Sequence, residues 1–336
     1  MKKLLFIYAI LIGIFTIFLL KYDFNSPDGG SSPMERGLGG DLEEKYVMVT
    51  FQAGIDYWKT ALKGFEDAAN SLNVSVEYRG ATHYDVHEQI TVLEQVIARK
   101  PDGIAISAID PEKITATINK AADSGIPVVL FDSGAPGSKA SSFVGTDNYN
   151  AGVIGAEKLA DLIGSKGKVG IISLPHQHNH QERIKGFQET ITRKFPQIEV
   201  TGIKDGKGNE LVSKQAALEL LEEHPDIKGI FVTEANGGVG TGNAILSSKI
   251  KDKVEIVSFD ADKETLDMIK DGTISATLAQ GTWNMGYWSL QYLFHLKHSL
   301  TASSKLNIAS TPPLPPKVDT GVTVVTKENV GDFYAR

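Results

Sequence analysis

Short, almost unbroken apolar runs alternate along this chain with longer stretches whose apolar positions recur every three or four residues, the rhythm of strands alternating with amphipathic helices. One full unit is visible between residues 100 and 133. A strand over 104–106 leads into a helix with Pro111 in its first turn; Gly125 and Pro127 stop that helix, and a second strand covers 128–131. Both strands are β-branched and lack polar alternation, which suits parallel strands covered on two faces. Polar residues follow each carboxyl end, Ser107 and Asp110 after one, Asp132 and Ser133 after the other. In an open parallel sheet those ends border the ligand crevice.

The same alternation extends almost to the end of the chain. Strands are predicted over 47–51, 74–78 and 143–145, with a helix over 57–72 that carries Trp58, Ala61, Leu62, Phe65 and Ala69 on one stripe. Asp85 opens another helix with Glu88 three residues on, a capping-box pattern. A second array follows: helices over 151–163, 183–194, 212–223 and 239–246, and strands over 169–173, 200–203, 229–233, 254–259 and 275–279. Two such arrays in 336 residues predict an α/β protein of two doubly wound parallel-sheet lobes facing each other across a cleft. The prolines at 312, 313, 315 and 316 read as an extended connector.

The amino terminus changes the picture. Lys2 and Lys3 precede an uncharged apolar run over 4–20, closed by Lys21. Seventeen residues of helix span about 25 Å, near the short limit for a bilayer. No small-x-small cleavage site follows, so the run reads as an uncleaved transmembrane anchor rather than a cleaved signal, with 1–3 cytoplasmic and the body exported in either case. Residues 21–44, rich in Gly, Ser and Pro, form a flexible tether. The net charge of −7 and the lack of long basic runs argue against nucleic acid as a partner. The absence of cysteine excludes disulfides, thiolate metal sites, a cysteine nucleophile and a lipid-modified cysteine.

Few motifs point to chemistry. Gly238, Gly240 and Gly242 imitate part of a dinucleotide fingerprint, but close helix packing explains them equally well. His176, His178 and His180 alternate on what reads as an extended loop; no acidic residue or cysteine completes a short-range ligand set, so no metal is expected. No nucleophile elbow, phosphate loop or zinc-protease helix is present. Asp132 and Asp260 each follow an apolar strand, where hydrogen bonding is a simpler role than paired acid catalysis. Tyr57, Trp58 and Trp283 fall at crevice positions, where an aromatic face packs on the C–H face of a sugar ring and planar amide or carboxylate groups bond its hydroxyls. Trp58 has an alternative reading as the first core residue of its helix.

From Lys45 to the carboxyl end the chain resembles the type I periplasmic sugar-binding family, the ribose-, xylose- and galactose-type receptors. The carriers are Tyr57-Trp58 before Gly64-Phe65, Tyr84-Asp85-Val86 with Gln89, Asp102-Gly103-Ile104, Gly125-Ile126-Pro127-Val128, Gly145-Thr146-Asp147-Asn148 with Gly152, Arg183 with Gly186-Phe187, Ser258-Phe259-Asp260 and Ala279-Gln280. The resemblance implies a receptor without catalysis or cofactor, its lobes joined by three crossovers: 45–147 with 281–309, and 148–280 with 310–336. Carried over by position, Tyr57 and Trp58 sandwich a sugar ring, while Asp132, Asn179, Arg183, Glu234, Asn236, Asp260 and Gln280 bond its hydroxyls. Arg183 suits that role because its rigid fork holds two oxygens. Ser133 stands where ribose-type receptors have arginine, and Glu234-Ala235-Asn236 replaces an Asn-Asp pair, so the resemblance leaves the sugar open. The lactose-repressor relatives begin with a DNA-binding helix-turn-helix, whose place the apolar segment takes here. The implied partner is an ABC permease or a membrane sensor histidine kinase.

Overall fold

In the computed structural model the described residues are 11–13, 15–16, 39–248, 254–300 and 314–334. The chain divides into two units, Met1–Gly40 and Asp41–Arg336. Within the first, Leu11, Ile12 and Phe15 are helical and exposed. No helix of the described residues is long and apolar enough to cross a membrane, and most of the expected span over 4–20 and of the tether lies outside them.

The second unit contains two six-stranded sheets. The first is built from β1 (Lys45–Thr50), β2 (Ser75–Gly80), β3 (Gly103–Ile106), β4 (Val128–Phe131), β5 (Ser142–Gly145) and β11 (Lys317–Asp319), in the order β11-β5-β4-β3-β1-β2. Every pairing in it is parallel. The second contains β6 (Gly167–Ser173), β7 (Ile198–Asp205), β8 (Ile227–Val232), β9 (Glu255–Phe259), β10 (Ala276–Gln280) and β12 (Val322–Val325), in the order β12-β10-β9-β8-β6-β7. Only β12 runs antiparallel, against β10. The strand order reverses direction at β1 in one sheet and at β6 in the other, and a doubly wound sheet opens its crevice at such a point.

Helices α1 (Tyr57–Leu72), α2 (Val86–Ala98), α3 (Pro111–Asp123) and α9 (Thr282–Lys297) cover the first sheet; α4 (Asn148–Leu162), α5 (His178–Lys194), α6 (Glu210–Glu223), α7 (Ala235–Ser247) and α8 (Lys263–Asp271) belong to the second lobe. Each sheet has a separate apolar cluster on either face, which is why β3, β4 and the interior of β1 are buried throughout. The caps follow the sequence: Asp85 accepts from the His87 and Glu88 amides, and Asp110 caps α3 with Pro111 at its start. Glu88 does not return to its cap, however. Its carboxylate takes the Thr82 amide at 2.8 Å and the Thr82 hydroxyl at 2.6 Å.

Glycines let paired helices touch backbone to backbone. A Cβ on Gly286 would lie 1.8 Å from the Ala61 carbonyl oxygen, locking α9 to α1. In the second lobe one on Gly152 would lie 2.1 Å from the Arg183 carbonyl oxygen, so α4 fixes the height of Arg183 on α5. Gly238 and Gly240 are likewise pressed against Ser258 and the Glu210 carbonyl, the packing role weighed for them above.

Three expectations change. β11 pairs with Phe143–Gly145, so the third crossing lies between Asp319 and Val322 rather than at 309/310. Helix α5 begins at His178 rather than near 183, which puts His178 and His180 in its first turn instead of on an extended loop. His176 is exposed there while His180 is buried with Nδ1 2.8 Å from the Thr233 hydroxyl, so the three rings do not converge. Helices α8 and α9 occupy stretches for which the sequence suggested no element.

Candidate functional site

Each lobe ends one central strand with an aspartate in the left-handed region, Asp132 after β4 at φ 58° and Asp260 after β9 at φ 69°. Non-glycine residues rarely adopt that conformation, and they hold it where the surroundings over-determine it. Both side chains are buried. Asp132 Oδ1 accepts from the Tyr57 hydroxyl at 2.6 Å and Oδ2 from the Ser107 hydroxyl at 2.8 Å. Ser107 is held in turn by buried Gln89, whose amide donates to the Ser107 carbonyl at 2.7 Å and accepts from the Ile109 amide at 3.0 Å. Burial pushes the Asp132 pKa up, against the pull of Tyr57, Arg183 and Ser107.

Arg183 is 1% exposed and spends its donors on three acceptors: Nε on Asn148 Oδ1 at 2.9 Å, Nη1 on the Thr233 carbonyl at 2.6 Å and Nη2 on Gln280 Oε1 at 2.7 Å. Its guanidinium carbon lies 4.0 Å from the centre of the Phe259 ring, a cation–π contact. Burial lowers its pKa while Asp260, Tyr57, Asp132 and Glu234 raise it. Gln280, at the end of β10, is the hub. Its Oε1 also accepts from the Thr146 hydroxyl at 2.8 Å, and its Nε2 donates to Asp260 Oδ1 at 2.7 Å and to the Tyr57 hydroxyl at 3.2 Å. The last bond joins the lobes. Burial drives the Asp260 carboxyl up to about 7, opposed by Arg183 and Gln280, and it drives the Tyr57 phenol well above its ordinary range.

Glu234 lies at the head of α7, where burial and the neighbouring Asp260 raise its carboxyl to about 8 against the pull of the Gly237 and Asn236 amides. Asn179 is buried in the first turn of α5, four residues before Arg183, with Oδ1 on the His180 amide at 3.0 Å. Asn236 is not in this group. It is exposed and donates to the Gly208 carbonyl at 2.9 Å, tying α7 to a surface loop. Trp58 does not pair with Tyr57 as two faces of a sandwich. It is 1% exposed, packs edge-on against Phe51, Tyr57 and Phe131, and donates its indole N–H to the Gln52 carbonyl at 2.8 Å. Trp283, the other aromatic placed at the crevice, lies on α9 with its N–H on Asp67 at 3.0 Å.

Residues the sequence did not assign complete the site: Ser107, Gln89, Thr146, Asn148, Thr233 and Phe259. Ser107 and Thr233 are the polar residues directly beyond β3 and β8, a signal that was legible; the long-range partners of Gln89 and Asn148 were not. Among the described residues no group of three or more histidines, cysteines and acids is placed to hold a metal.

The three crossings run together beside Gln280. The Thr320 amide donates to the Gly145 carbonyl at 2.9 Å, the Asp147 amide to Asp319 at 2.8 Å, and a Cβ on Gly281 would lie 2.5 Å from the Thr320 carbonyl oxygen. A family profile described as a periplasmic binding protein domain matches residues 46–298. The chain belongs to the periplasmic binding protein family.

This periplasmic binding protein is 64% identical to AraP, an arabinose binding protein from Geobacillus stearothermophilus, with a TM-score of 0.75 over 87% of this chain and 99% of that one. It is 60% identical to a sugar ABC transporter sugar-binding protein from Bacillus halodurans, with a TM-score of 0.77 over 87% of this chain and 100% of that one. A chain of the XylFII–LytSN complex matches at 26% identity, with a TM-score of 0.76 over 85% of this chain and 98% of that one. The protein is therefore an extracytoplasmic sugar-binding protein, and not an enzyme.

Proposed function

We propose that this protein binds arabinose, or a neutral pentose close to it, between its lobes and passes the closed state to a membrane partner. The arrangement that carries the reading is a network shared by both lobes: Asp132 with Tyr57 on one side, Asp260 with Arg183 on the other, and Gln280 between them. Acceptors and donors so arranged suit the hydroxyls of an uncharged ring, and the likeness to AraP supports a pentose. A ligand bonded by both lobes favours the closed form by the contacts it makes only there. Calorimetric titration of the full-length chain, in a detergent without a sugar headgroup, is expected to give tightest binding for L-arabinose among arabinose, ribose, xylose, galactose and glucose. No heat with any of the five would overturn the reading.

The partner reading has two forms. Delivery to an ABC permease is supported by the Bacillus halodurans relative, and engagement of a sensor kinase by the likeness to a chain of the XylFII–LytSN complex. The apolar run over 4–20 after Lys2 and Lys3 favours the second, because a fixed membrane helix holds the receptor beside a kinase. On that reading the protein stays in carbonate-washed membranes and co-purifies with a histidine kinase in an arabinose-dependent manner. Release by carbonate, or co-purification with a permease alone, would select the importer.

A further inference from the structure

Beside the network just described lies a second set of polar groups with the opposite property. Every member of the Asp132–Arg183–Gln280–Asp260 set has a partner, whereas the Tyr84 hydroxyl, both amide atoms of Gln177 and Glu234 Oε1 are out of solvent and make no hydrogen bond of normal length and angle. The other unpaired buried side-chain atoms among the described residues are single hydroxyls, which rotate to suit a neighbour or a water. Native proteins leave few buried polar groups unpaired, and several in one place call for an explanation.

Their positions point one way. Gln177 is completely buried at the N-cap of α5, in the turn after β6 where the second sheet reverses its order; its side chain makes no bond to its own helix. Glu234 holds the same place on α7, after β8. Tyr84 comes from the other lobe, in the turn between β2 and α2, its ring edge-on to Phe51 at 5.8 Å. Phe51 in turn packs at 5.0 Å on Trp58, the neighbour of Tyr57. The Tyr84 hydroxyl faces Gln177 across the lobes and feels the carboxylates of Asp205, Asp110 and Glu234. Glu234 in turn neighbours Asp260. The unpaired groups thus lie beside the paired network, and both draw on the two lobes.

We propose that Tyr84 and Gln177 are specificity-determining ligand contacts that, beside Glu234, bond the sugar hydroxyls which Asp132, Arg183 and Asp260 do not reach. The proposal rests on the sugar-binding reading above and names the class of sugar within it. An amide and a phenol each donate and accept, so this wall recognises hydroxyls, while the nearby carboxylates of Asp110 and Asp205 disfavour an anion. The ligand is an uncharged polyhydroxylated ring, and sugar acids and sugar phosphates are rejected. Because Tyr84 and Gln177 belong to different lobes, a hydroxyl that bonds both is bound only in the closed form.

The test is titration of full-length wild type, Gln177→Leu and Tyr84→Phe with L-arabinose, D-ribose, D-xylose and D-galacturonate, beside thermal melting of each protein without sugar. Each variant is expected to bind the preferred neutral sugar at least tenfold more weakly and to discriminate less among the neutral sugars. Each should melt, sugar-free, at the wild-type temperature or above, since an unpaired buried group has been removed. D-galacturonate should give no heat. Weaker binding accompanied by a lower sugar-free melting temperature in both variants would assign them a structural role and overturn the proposal. So would wild-type affinity in both, or binding of D-galacturonate at the strength of the neutral sugars. If wild type itself bound none of the neutral sugars, the sugar-binding reading would fall first and this one with it.

Discussion

Asp132 and Asp260 stand at matching places, one residue beyond a buried strand, in the same rare backbone conformation. Their surroundings differ. Asp132 receives two hydroxyl donors from its own lobe, Tyr57 on α1 and Ser107 beyond β3. Asp260 receives one amide donor, from Gln280 at the second crossing, and its countercharge Arg183 is bonded elsewhere, to Asn148, Thr233 and Gln280. The first lobe therefore presents a carboxylate whose acceptors are already committed. The second presents one held near pH 7 by burial, whose environment a ligand hydroxyl can still improve. A repeated fold need not share the work of binding equally: one half supplies a fixed wall, the other an adaptable one.

The largest expected effect tests whether Arg183 compensates both aspartates. Arg183→Ala removes the cation from among Asp132, Asp260 and Glu234, takes a donor from Asn148 Oδ1 and the Thr233 carbonyl, and leaves Gln280 Oε1 with Thr146 alone. Breaking a buried charge pair from one side costs about 3–5 kcal/mol. Urea unfolding of the ligand-free protein should register a loss of that size. Arg183→Lys should recover little of it, because one ammonium cannot serve three acceptors set in a planar fork. A loss below about 1 kcal/mol would mean that the aspartates are held neutral without Arg183, and the contrast between the lobes would collapse.

How much of this was legible in the sequence depends on whether the signal is local. Asp132 and Asp260 follow apolar strands, and a sheet that carries its crevice at strand ends made them readable as candidate site residues, whereas Gln280 was legible only through the family resemblance. The bounds of α1 coincide with its predicted stripe because one face packs on a sheet and the other meets solvent. Helix α5 was misjudged at its start because its first turns bury Asn179, His180 and Arg183, polar residues that break the apolar period while facing inward. Trp58 was ambiguous for a related reason: an aromatic at the head of a helix looks alike whether it meets a ligand or Phe131. β11 is three residues long after a proline run, too short for any periodicity, and only its pairing with β5 reveals it. Tyr84 is visible in the sequence only as part of the Tyr84-Asp85-Val86 motif, and nothing there marks it or Gln177 as unpaired, because an unpaired side chain is a property of tertiary structure.

The finest comparison of the two lobes comes from neutralising each aspartate in turn. Asparagine keeps the shape and tolerates positive φ better than other replacements, so backbone strain cancels between the two variants. Asp132→Asn retains one acceptor for two hydroxyl donors, and the orphaned hydroxyl should cost about 1–2 kcal/mol of ligand-free stability. Asp260→Asn keeps the acceptor for Gln280 and removes a charge that burial disfavours, so at pH 8 its ligand-free stability should equal or exceed wild type. The pH dependence follows from the same shift. A carboxyl raised to about 7 in the folded protein from an ordinary value of 3.8 binds its proton more tightly when folded. Its contribution to stability is complete below the lower value and is lost as pH rises through the upper one. Glu234, raised from 4.5 to about 8, acts in the same direction over a window set slightly higher. Ligand-free melting temperature should therefore fall from pH 5 to pH 8 in wild type, and the fall should shrink in Asp260→Asn more than in Asp132→Asn. Equal slopes in the two variants would place the aspartates in equivalent environments and remove the asymmetry between the lobes.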